Sequence, residues 1–555
     1  MKIKLEKILT LFVPLIASLV YFLLSAYSMH SSGDWYYLDS DSYTRYLRIN
    51  DWLNNFSWFE KIFPFSNCPN GEILHFTRIN DIVWLLLSLP FMPFTGSDNA
   101  LLFGGLIFAP TFFCLTLYIL GQQIKLNLQP AQNSAQYLLV FALTFLFLLS
   151  TTVFYFGRPD HHCIMMFITA SAIYLLGKPD KSNAIISGVL CAIGIWCSSA
   201  VEGGILCASI SVALFYCWLT EKISEKTILQ YLSALCFSVF VAFILNPPYQ
   251  GYFYPDTERL SVVHVCICGL IWLSFLIITK INPHTLKLKL ILSVGFSAVC
   301  LLILLLIFGK NLFSPLYNEG VLQNFVIHIS EMQPPLIYEY GYLILGCVAL
   351  FLLNFRQQKN PAYLIVGIMF VCYLPLGATV RRFIYYSILL FTFLNIFVLA
   401  QTFSLTKKSR KSKLTAFIYL TADIFFLFSF QYSTEPLYPY QSLPKLNGCV
   451  LSDIFSAPYI SYKTGANTLA SPYHNNIEGI SNTVKIFNAD NEKEIYSALQ
   501  SRHIKYIFVP KQKLSHLQNT NSNSLYNRLL AGKQYQWIEK ISGEKENYLL
   551  YKVTQ

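Results

Sequence analysis

The sequence predicts a polytopic α-helical membrane protein with a small α/β domain at its C-terminal end. Hydrophobic residues make up 54% of the 555 residues, and charged residues make up only 12%. Soluble domains usually carry about 25% charged residues. Apolar runs long enough to cross a hydrocarbon core of about 30 Å recur from Leu11 to about Phe430. Beyond that point the sequence becomes polar, which indicates a separate domain.

The apolar runs divide into about thirteen predicted membrane spans. They lie near residues 8–28, 100–121, 135–156, 162–177, 182–199, 203–220, 227–246, 259–279, 289–308, 336–354, 361–377, 383–402 and 413–431. The shorter run at residues 81–95 contains Pro90 and Pro93, so we interpret it as an interfacial or re-entrant helix. These boundaries predict a transmembrane domain over residues 1–431 and a C-terminal extracytoplasmic domain over residues 432–555.

Basic residues set the predicted orientation of the spans. Lys2, Lys4 and Lys7 precede the first span, and the loops that fall on the same side are basic, including KKSRKSK at residues 407–413. Lysine and arginine concentrate on the cytoplasmic side, so the N-terminus is predicted to be cytoplasmic and the C-terminal domain external. These loops also explain the net charge of +11 without a nucleic-acid partner. We expect a bacterial inner membrane and a periplasmic domain, although an endoplasmic reticulum lumen would give the same charge pattern.

The polar C-terminal segment has the pattern of a small mixed domain. Strand-like pieces (GCVLSDIF, YIFVP and NYLLYKV) surround the helix-like piece EKEIYSALQSRHI. This alternation predicts an α/β domain of about 110 residues on the outer face. Cys68 and Cys449 are the two cysteines that lie clearly in polar segments, which leaves a disulfide between them open.

Ionisable side chains collect in the loops that this orientation places outside. The loops at residues 29–80, 157–162 and 309–335 carry Asp39, Asp41, Arg158, Asp160, His161, His162 and Glu331, and nearby outer turns carry Glu202, Arg381 and Arg382. Each motif has a structural interpretation too, with the aspartates as helix caps and the arginines as interfacial side chains. Their convergence on one membrane face favours a functional site, because charge at membrane depth is expensive.

Asp41, Asp160 and His162 have the chemistry of a divalent metal site. Carboxylate oxygens with one imidazole suit Mn²⁺ or Mg²⁺ better than zinc, which favours more histidine or cysteine. Such an ion would contact the phosphate of a lipid-linked donor and stabilise the charge that develops there. A guanidinium fits phosphate oxygens in bidentate fashion. The predicted partners of that phosphate are Arg158, Arg381 and Arg382.

In this order and on these loops, the motifs resemble those of the catalytic subunit of oligosaccharyltransferases, within the GT-C superfamily of polyprenyl-dependent membrane glycosyltransferases. The resemblance covers residues 8–431, and that family has thirteen spans, a cytoplasmic N-terminus and an outward C-terminal domain. The third motif departs from the family pattern at its first position, which is threonine or serine in the family. The matching motifs are Asp41-Ser42-Tyr43, Asp160-His161-His162, His328-Ile329-Ser330-Glu331 and Arg382-Phe383.

The resemblance implies roles for these residues. Asp41, Asp160 and His162 would bind the metal. Glu331 would reach both the metal and the acceptor, and Arg382 would lie near the donor phosphate or the acceptor. Either Asp41 or Glu331 would be the catalytic carboxylate that orients or deprotonates the acceptor nucleophile. The donor would be a sugar or oligosaccharide on a polyprenyl phosphate or diphosphate.

One family motif is absent from the sequence. Protein N-glycosylating members carry WWDYG early in the outer domain, where it recognises the hydroxyl residue of the acceptor sequon. The nearest segments by position are residues 451–465 and 470–476. Tyr473 and His474 are candidates for an acceptor-side contact, and a turn where the domain meets the membrane is an equal interpretation. The acceptor is therefore open among protein, lipid and glycan.

Three other functions fit parts of the sequence. A GT-C enzyme that glycosylates a lipid or a cell-envelope glycan fits the missing sequon motif as well as protein glycosylation does. A transporter or flippase for lipid-linked glycans would place its ionisable groups near the bilayer midplane and show repeated halves, whereas here the acidic groups lie at the outer ends of spans. A non-catalytic scaffold would not need the metal-binding residue types.

Overall fold

The computed structural model describes most of the chain. The described residues are 2–31, 35–56, 58–59, 62–74, 76–128, 134–178, 180–198, 202–309, 329–353, 360–405, 443–473, 476–511, 521–542 and 546–554. They form an α-helical membrane part and a C-terminal domain with a small sheet. Both parts of the predicted architecture are therefore confirmed.

Fourteen helices precede the C-terminal domain in the described part. They are α1 (Lys2–Ser31), α2 (Ser40–Asn55), α3 (Arg78–Ser88), α4 (Met92–Leu128), α5 (Ser134–Leu149), α6 (His161–Leu176), α7 (Lys181–Cys197), α8 (Gly204–Leu219), α9 (Glu225–Leu245), α10 (Val262–Ile281), α11 (Leu286–Phe308), α12 (Tyr340–Leu352), α13 (Ala362–Thr379) and α14 (Arg381–Leu405). Short 3₁₀ turns lie between α5 and α6, at Thr152–Phe154, and before α12, at Ser330–Met332.

Twelve of these helices correspond to the first twelve predicted spans. Seven (α1, α4, α9, α10, α11, α13 and α14) are long and apolar enough to cross a membrane, and five shorter ones (α5, α6, α7, α8 and α12) are also apolar. The thirteenth predicted span, residues 413–431, lies outside the described residues. The chain is thus a polytopic membrane protein.

The run predicted as a re-entrant helix is separated from the following span by a break in α4. Its first half lies in α3, which has 11 residues and is too short to cross a bilayer, and its second half forms the first turn of α4 up to Gly96, where φ of 77° and ψ of 170° interrupt the helix. Gly104 of α4 allows the two helices to touch, since a Cβ atom there would lie 2.9 Å from the Cα atom of Ser88. Trp84 of α3 donates from Nε1 to the carbonyl of Leu101 at 2.8 Å.

The C-terminal domain is built around five strands. Its elements are β1 (Cys449–Leu451), α15 (Ala457–Thr464), β2 (Asn467–Thr468), α16 (Ile477–Asn488), α17 (Glu492–Ser501), β3 (Ile504–Pro510), α18 (Leu525–Leu530), β4 (Ile538–Lys540) and β5 (Tyr548–Val553). The strand order is β2-β1-β3-β5-β4. The pairs of β1 with β2 and β3 are parallel, and β5 pairs with β3 and β4 in antiparallel fashion.

The first outer loop is joined to this domain covalently and by hydrogen bonds. A disulfide links Cys68 to Cys449 of β1, with their Cα atoms 5.9 Å apart, which decides the question that the sequence left open. Thr468 of β2 donates its N–H to the carbonyl of Phe65 at 3.1 Å and accepts from the N–H of Cys68 at 3.1 Å. The loop therefore covers the edge of the sheet formed by β2.

A tyrosine cluster packs α15 of the C-terminal domain against α2. The rings of Tyr43 and Tyr459 lie 5.1 Å apart, and those of Tyr46 and Tyr462 lie 4.8 Å apart, both edge to face. This geometry is favourable for aromatic pairs. The C-terminal domain is thereby fixed directly over the helix that carries Asp41.

Candidate functional site

The first part of the site is the start of α2. Asp39 caps this helix, and its carboxylate accepts the N–H of Ser42 at 2.8 Å. The other oxygen of Asp39 accepts from Nε of Arg158 at 3.0 Å. The structural and functional interpretations of this motif are thus compatible, because the cap residue also faces the charged cluster. Asp41 lies in the first turn of the helix.

The second part is the start of α6. Gly157 adopts a left-handed backbone conformation (φ 81°) in the turn before the helix, and its carbonyl accepts the N–H of Leu38 at 3.0 Å. This contact holds the turn against the segment leading to α2. Asp160 occupies the position just before α6, and His161 and His162 are the first two helical residues.

Asp160, His161 and His162 form a group that could hold a metal ion. Each offers one ligand atom, and these atoms all lie within 4.8 Å of one another. Asp160 and His162 are 4% and 1% exposed, so an ion here would be shielded from water. One carboxylate and two imidazoles suit a divalent transition metal. The group has one imidazole more than the predicted set of Asp41, Asp160 and His162, so its composition is closer to that of a zinc site than the sequence analysis predicts.

Glu331 contacts two arginines and one histidine of the cluster. It contacts Nη2 of Arg158, Nη2 of Arg382 at 3.2 Å and Nε2 of His162 at 3.3 Å. Arg158 is also held by the hydroxyl of Thr152 at 3.0 Å. Two guanidinium groups from separate helical regions thus meet beside the histidine group.

Glu202 is a further carboxylate that contacts the cluster. It is fully buried and accepts the hydroxyl of Tyr386, on α14, at 2.8 Å. Its carboxylate also lies 2.9 Å from Nδ1 of His162 and 3.8 Å from Nε of Arg382. The cluster therefore joins the N-terminal ends of α6, α8 and α14.

Burial and neighbouring charges shift the pKa values of the carboxylates in opposite directions. Burial raises the pKa of Asp160, but the two histidines and Arg45 outweigh that effect and hold it well below its usual range. Arg158 and His162 lower the pKa of Glu331 against the same effect of burial. The pKa of Asp41 is raised to about 7 by burial and by nearby carboxylates, chiefly Asp39 and Asp160.

The structure assembles most, though not all, of the predicted site residues. Asp41 is close enough to Asp160 and Glu331 to shift its pKa, but the compact ligand group contains His161 in its place. Arg381 instead pairs with Glu339 at 2.9 Å. His474 lies outside the described residues. The contacting set thus comprises Asp39, Arg158, Asp160, His161, His162, Glu202, Glu331 and Arg382.

Tyr473 connects the C-terminal domain to this cluster. Its ring packs edge to face on the ring of Phe76, with the centroids 4.8 Å apart. The guanidinium of Arg45 lies over the Phe76 ring, 4.2 Å from its centroid. Arg45 in turn donates to Asp160 at 3.0 Å. The side chain predicted as an acceptor contact is therefore buried at the seam between the domain and the site.

The sequence assigned no role in the site to two residues of the cluster, although Arg45 lies in the same predicted loop as Asp39 and Asp41. Arg45 donates to Asp160 and contacts Nδ1 of His161 at 2.8 Å, and Tyr386 holds Glu202. Each lies four residues after a predicted site residue on the same helix, Arg45 after Asp41 and Tyr386 after Arg382. Side chains four residues apart share a helix face, so this spacing was the available signal.

Comparison with known proteins identifies the fold. No protein-family model matches the sequence, and no curated protein matches it. Among solved structures, the chain is similar to the archaeal oligosaccharyltransferase AglB from Archaeoglobus fulgidus in complex with an inhibitory peptide and a dolichol-phosphate. The TM-score is 0.68 at 14% identity, over 96% of this chain and 79% of that chain.

Two further structures of the A. fulgidus oligosaccharyltransferase give the same result. The form tethered to an acceptor peptide with the NVT sequon has a TM-score of 0.63 at 14% identity, covering 99% of this chain and 74% of that one. The complex with Zn and sulfate has a TM-score of 0.63 at 15% identity, covering 91% and 68%. The chain therefore has the fold of these oligosaccharyltransferase structures, as the resemblance of its motifs predicted.

Proposed function

We propose that this protein is a membrane glycosyltransferase. It transfers a sugar or oligosaccharide from a polyprenyl phosphate or diphosphate to an acceptor on the extracytoplasmic face. The observation that carries this proposal is the buried group of Asp160, His161 and His162 beside two arginines, in an oligosaccharyltransferase-like fold. The similar archaeal structures contain a dolichol-phosphate in one case and Zn with sulfate in another, which supports a phosphate-linked donor and a metal.

The roles of the chain's own residues follow from their contacts. Asp160 and His162, together with His161 or Asp41, would hold Mn²⁺ or Mg²⁺, which supplies Lewis-acid stabilisation of a phosphate leaving group. Arg158 and Arg382 add fixed positive charge where the leaving phosphate develops negative charge.

The acceptor side of the proposed reaction uses the carboxylates. Asp41 orients the acceptor nucleophile and takes its proton, while Glu331 holds the two arginines in place and faces the same space. Tyr473 lies next to this side of the site through Phe76, so the C-terminal domain contributes to the acceptor position. Arg381 is tied to Glu339 and is the least supported of the predicted phosphate ligands.

The proposed orientation places the cluster and the C-terminal domain outside the cytoplasm. Basic loops favour a cytoplasmic N-terminus, and the disulfide between Cys68 and Cys449 is typical of an oxidising compartment. A bacterial inner membrane with the domain in the periplasm combines these features. Membrane lipids and the lipid-linked donor are the expected partners.

The acceptor has two candidate classes. The neighbouring archaeal enzyme is bound to peptides in two structures, which supports a peptide acceptor. The missing WWDYG string is equally compatible with a lipid or a cell-envelope glycan as acceptor. Offering a peptide with an Asn-X-Thr sequon and a glycolipid as alternative acceptors separates the two classes.

The test is donor turnover by the purified full chain. Labelled polyprenyl-diphosphate-linked and polyprenyl-phosphate-linked sugars are incubated with the protein, with Mn²⁺ or with a chelator, and release of the sugar is measured. We expect release that depends on Mn²⁺ and falls by about 100-fold or more in Asp160→Ala and Asp41→Ala.

A matched control is available on α2. Asp51→Ala removes an acidic side chain from the helix that carries Asp41, but Asp51 contacts Asn55 outside the cluster, so its turnover should be unchanged. Equal turnover with chelator and with Mn²⁺ would exclude metal dependence. Movement of intact donor across the membrane without sugar release would favour the transporter.

A further inference from the structure

The carboxylate of Asp160 has different neighbours at its two oxygens. Oδ1 accepts from Nη2 of Arg45 at 3.0 Å and lies 2.5 Å from Nδ1 of His161. Oδ2 lies 3.5 Å from Nε2 of His162 and 3.6 Å from Nη2 of Arg158. Arg45 therefore fixes one oxygen of the carboxylate, and the other oxygen is directed toward His162.

The ring of Phe76 supports the guanidinium of Arg45. The guanidinium carbon lies 4.2 Å from the ring centroid, inside the limit of about 6 Å for a cation–π contact. Arg45 is 2% exposed, and among the residues that the structure describes its buried Nε has no hydrogen-bond partner. A buried cation with incomplete hydrogen bonding is costly. The ring contact therefore helps to keep Arg45 where it meets Asp160.

The C-terminal domain in turn holds Phe76. The ring of Tyr473 packs on it edge to face, with the centroids 4.8 Å apart, and Tyr473 is itself 3% exposed. The outer loop that contains Phe76 is also fastened to this domain by the disulfide between Cys68 and Cys449. A continuous set of contacts thus runs from the C-terminal domain through the Phe76 ring to Arg45.

Orientation and charge have opposite consequences for metal binding at this place. Neither Arg45 nor Phe76 belongs to the group of Asp160, His161 and His162 that could hold an ion. The positive charge of Arg45 repels a cation, so by charge alone it weakens metal binding. A partner that orients a ligand instead strengthens metal binding, typically by about 10–100-fold. The sign of the effect therefore distinguishes the two roles.

We infer that Arg45 is a positioning residue that orients Asp160, and that the C-terminal domain holds Arg45 in place through Tyr473 and Phe76. This inference rests on the metal-dependent function proposed above and adds to it a dependence of the metal site on the C-terminal domain. The domain acts on the site from outside the ligand group.

The experiment measures metal affinity, not turnover. The purified full chain in detergent is titrated with Mn²⁺ and, separately, with Zn²⁺, and each affinity is determined by calorimetry. Arg45→Lys keeps the positive charge but loses the planar guanidinium that bonds to Asp160 and stacks on Phe76. We expect affinity to fall by about 10–100-fold. Because the charge is unchanged, this loss measures orientation.

The ring is tested by variants that change no charge. In Phe76→Leu we expect affinity to fall by about 2–30-fold, the factor that corresponds to a cation–π contact. Tyr473→Leu should cause a smaller loss, because it acts on Arg45 only through Phe76. The double variant with Arg45→Lys and Phe76→Leu should lose no more affinity than Arg45→Lys alone, since both changes remove the same contact.

Phe63→Leu and Arg48→Lys are the matched controls. Phe63 lies in the same outer loop as Phe76, and its ring packs on Phe65 with the centroids 5.4 Å apart. Arg48 lies on the same helix as Arg45 and pairs with Asp81 at 3.2 Å, outside the cluster. Both variants should bind metal as the wild-type protein does.

The absorption spectrum of bound Co²⁺ separates positioning from folding, because it reports the geometry of the ligands. We expect a changed spectrum in Arg45→Lys and in Phe76→Leu, and a spectrum close to that of wild type in Phe76→Tyr, which keeps the aromatic face. Less bound Co²⁺ with an unchanged spectrum would show that these residues only stabilise the fold and would overturn the inference. Arg45→Lys and Tyr473→Leu keep the test valid if Phe76→Leu does not fold.

The remaining outcomes separate this inference from the proposed function. Wild-type affinity in Arg45→Lys, with a higher affinity in Arg45→Met, would show that Arg45 acts by charge alone; it would overturn the inference and leave the metal site standing. Additive losses in the double variant would show that Phe76 does not act through Arg45. Failure of the wild-type protein to bind either ion would overturn both the metal site and this inference.

Discussion

The helices α11 and α14 look alike in the sequence and differ most in the fold. Both are long and apolar, with mean hydropathies of 3.0 and 2.1 over their spans. Yet the most apolar part of α14 is 100% buried inside the protein, and that of α11 is only 6% buried. The more hydrophobic helix is therefore the one at the periphery.

The difference shows what places a helix in the centre of a membrane protein. Lipid is as apolar as leucine, so hydrophobicity does not draw a helix inward, and polar contacts and close packing do. At its N-terminal end α14 carries Arg382 and Tyr386, which contact Glu331 and Glu202, and further along it buries Asn395. In contrast, among the residues that the structure describes, α11 packs mainly on α10.

The largest expected effect comes from a comparison of basic side chains at the start of the two helices. Arg382→Ala on α14 removes a cation from the Glu331 contact, so turnover of the polyprenyl-linked donor should fall by about 10²–10³-fold, as for other removed charge-stabilising groups. Lys287→Ala, at the exposed start of α11, should change turnover by less than about twofold. Similar losses in both variants would show that position in the bundle does not matter.

A second pair compares the two helices by packing alone. Leu394 of α14 is 0% exposed and Leu302 of α11 is 56% exposed. Leu394→Ala leaves a cavity and should lower the free energy of unfolding by about 2–5 kcal/mol. Leu302→Ala removes a lipid-facing side chain and should change it by less than about 0.5 kcal/mol. Unfolding of both variants in the same detergent measures this; a large loss in Leu302→Ala would indicate that α11 has a packing partner.

The smallest expected effect comes from a comparison of a buried carboxylate with an exposed one. Glu72 is buried between the first outer loop and the C-terminal domain, where Ser471 donates to it at 2.8 Å. Burial raises its pKa to about 7, above the usual 4.5. Because the folded protein holds this proton more tightly than the unfolded chain, the contribution of Glu72 to stability is greatest below pH 4.5 and decreases as pH rises to about 7.

Glu72→Gln removes the ionisable group and should increase stability by roughly 1–3 kcal/mol at pH 8, with no gain at pH 4. The exposed Glu539 of β4 provides the control, and Glu539→Gln should behave as wild type at both values. Thermal unfolding across this pH range measures both. An equal gain at pH 4 and pH 8 would show that ionisation of Glu72 is not the cause.

The sequence was sufficient for the architecture because hydropathy and charge act locally. Each described span was located by an apolar run, and the strand-like pieces around residues 449, 506 and 548 became β1, β3 and β5. The re-entrant run at residues 81–95 is likewise separated from the next span, by the break at Gly96. The disulfide stayed open, since its two cysteines are 381 residues apart.

The candidate site was only partly predictable. Motif order and topology placed the acidic groups and arginines on one face, but neither gives the direction of a side chain. Arg381 and Arg382 are adjacent in sequence, yet one pairs with Glu339 and the other with Glu331, because successive helical residues point about 100° apart. Arg45 and Tyr386 belong to the cluster through contacts that no sequence motif predicts.

The sequence by itself determined that the chain spans a membrane many times, that it ends in a small α/β domain and that charged residues accumulate beside one face. These properties follow from composition and short-range periodicity. The tertiary structure decided which helix is central, how the first outer loop is fastened to the outer domain, and that Glu202 reaches two histidines. Those depend on contacts between residues far apart in the chain, whose burial and direction arise only when the helices pack together.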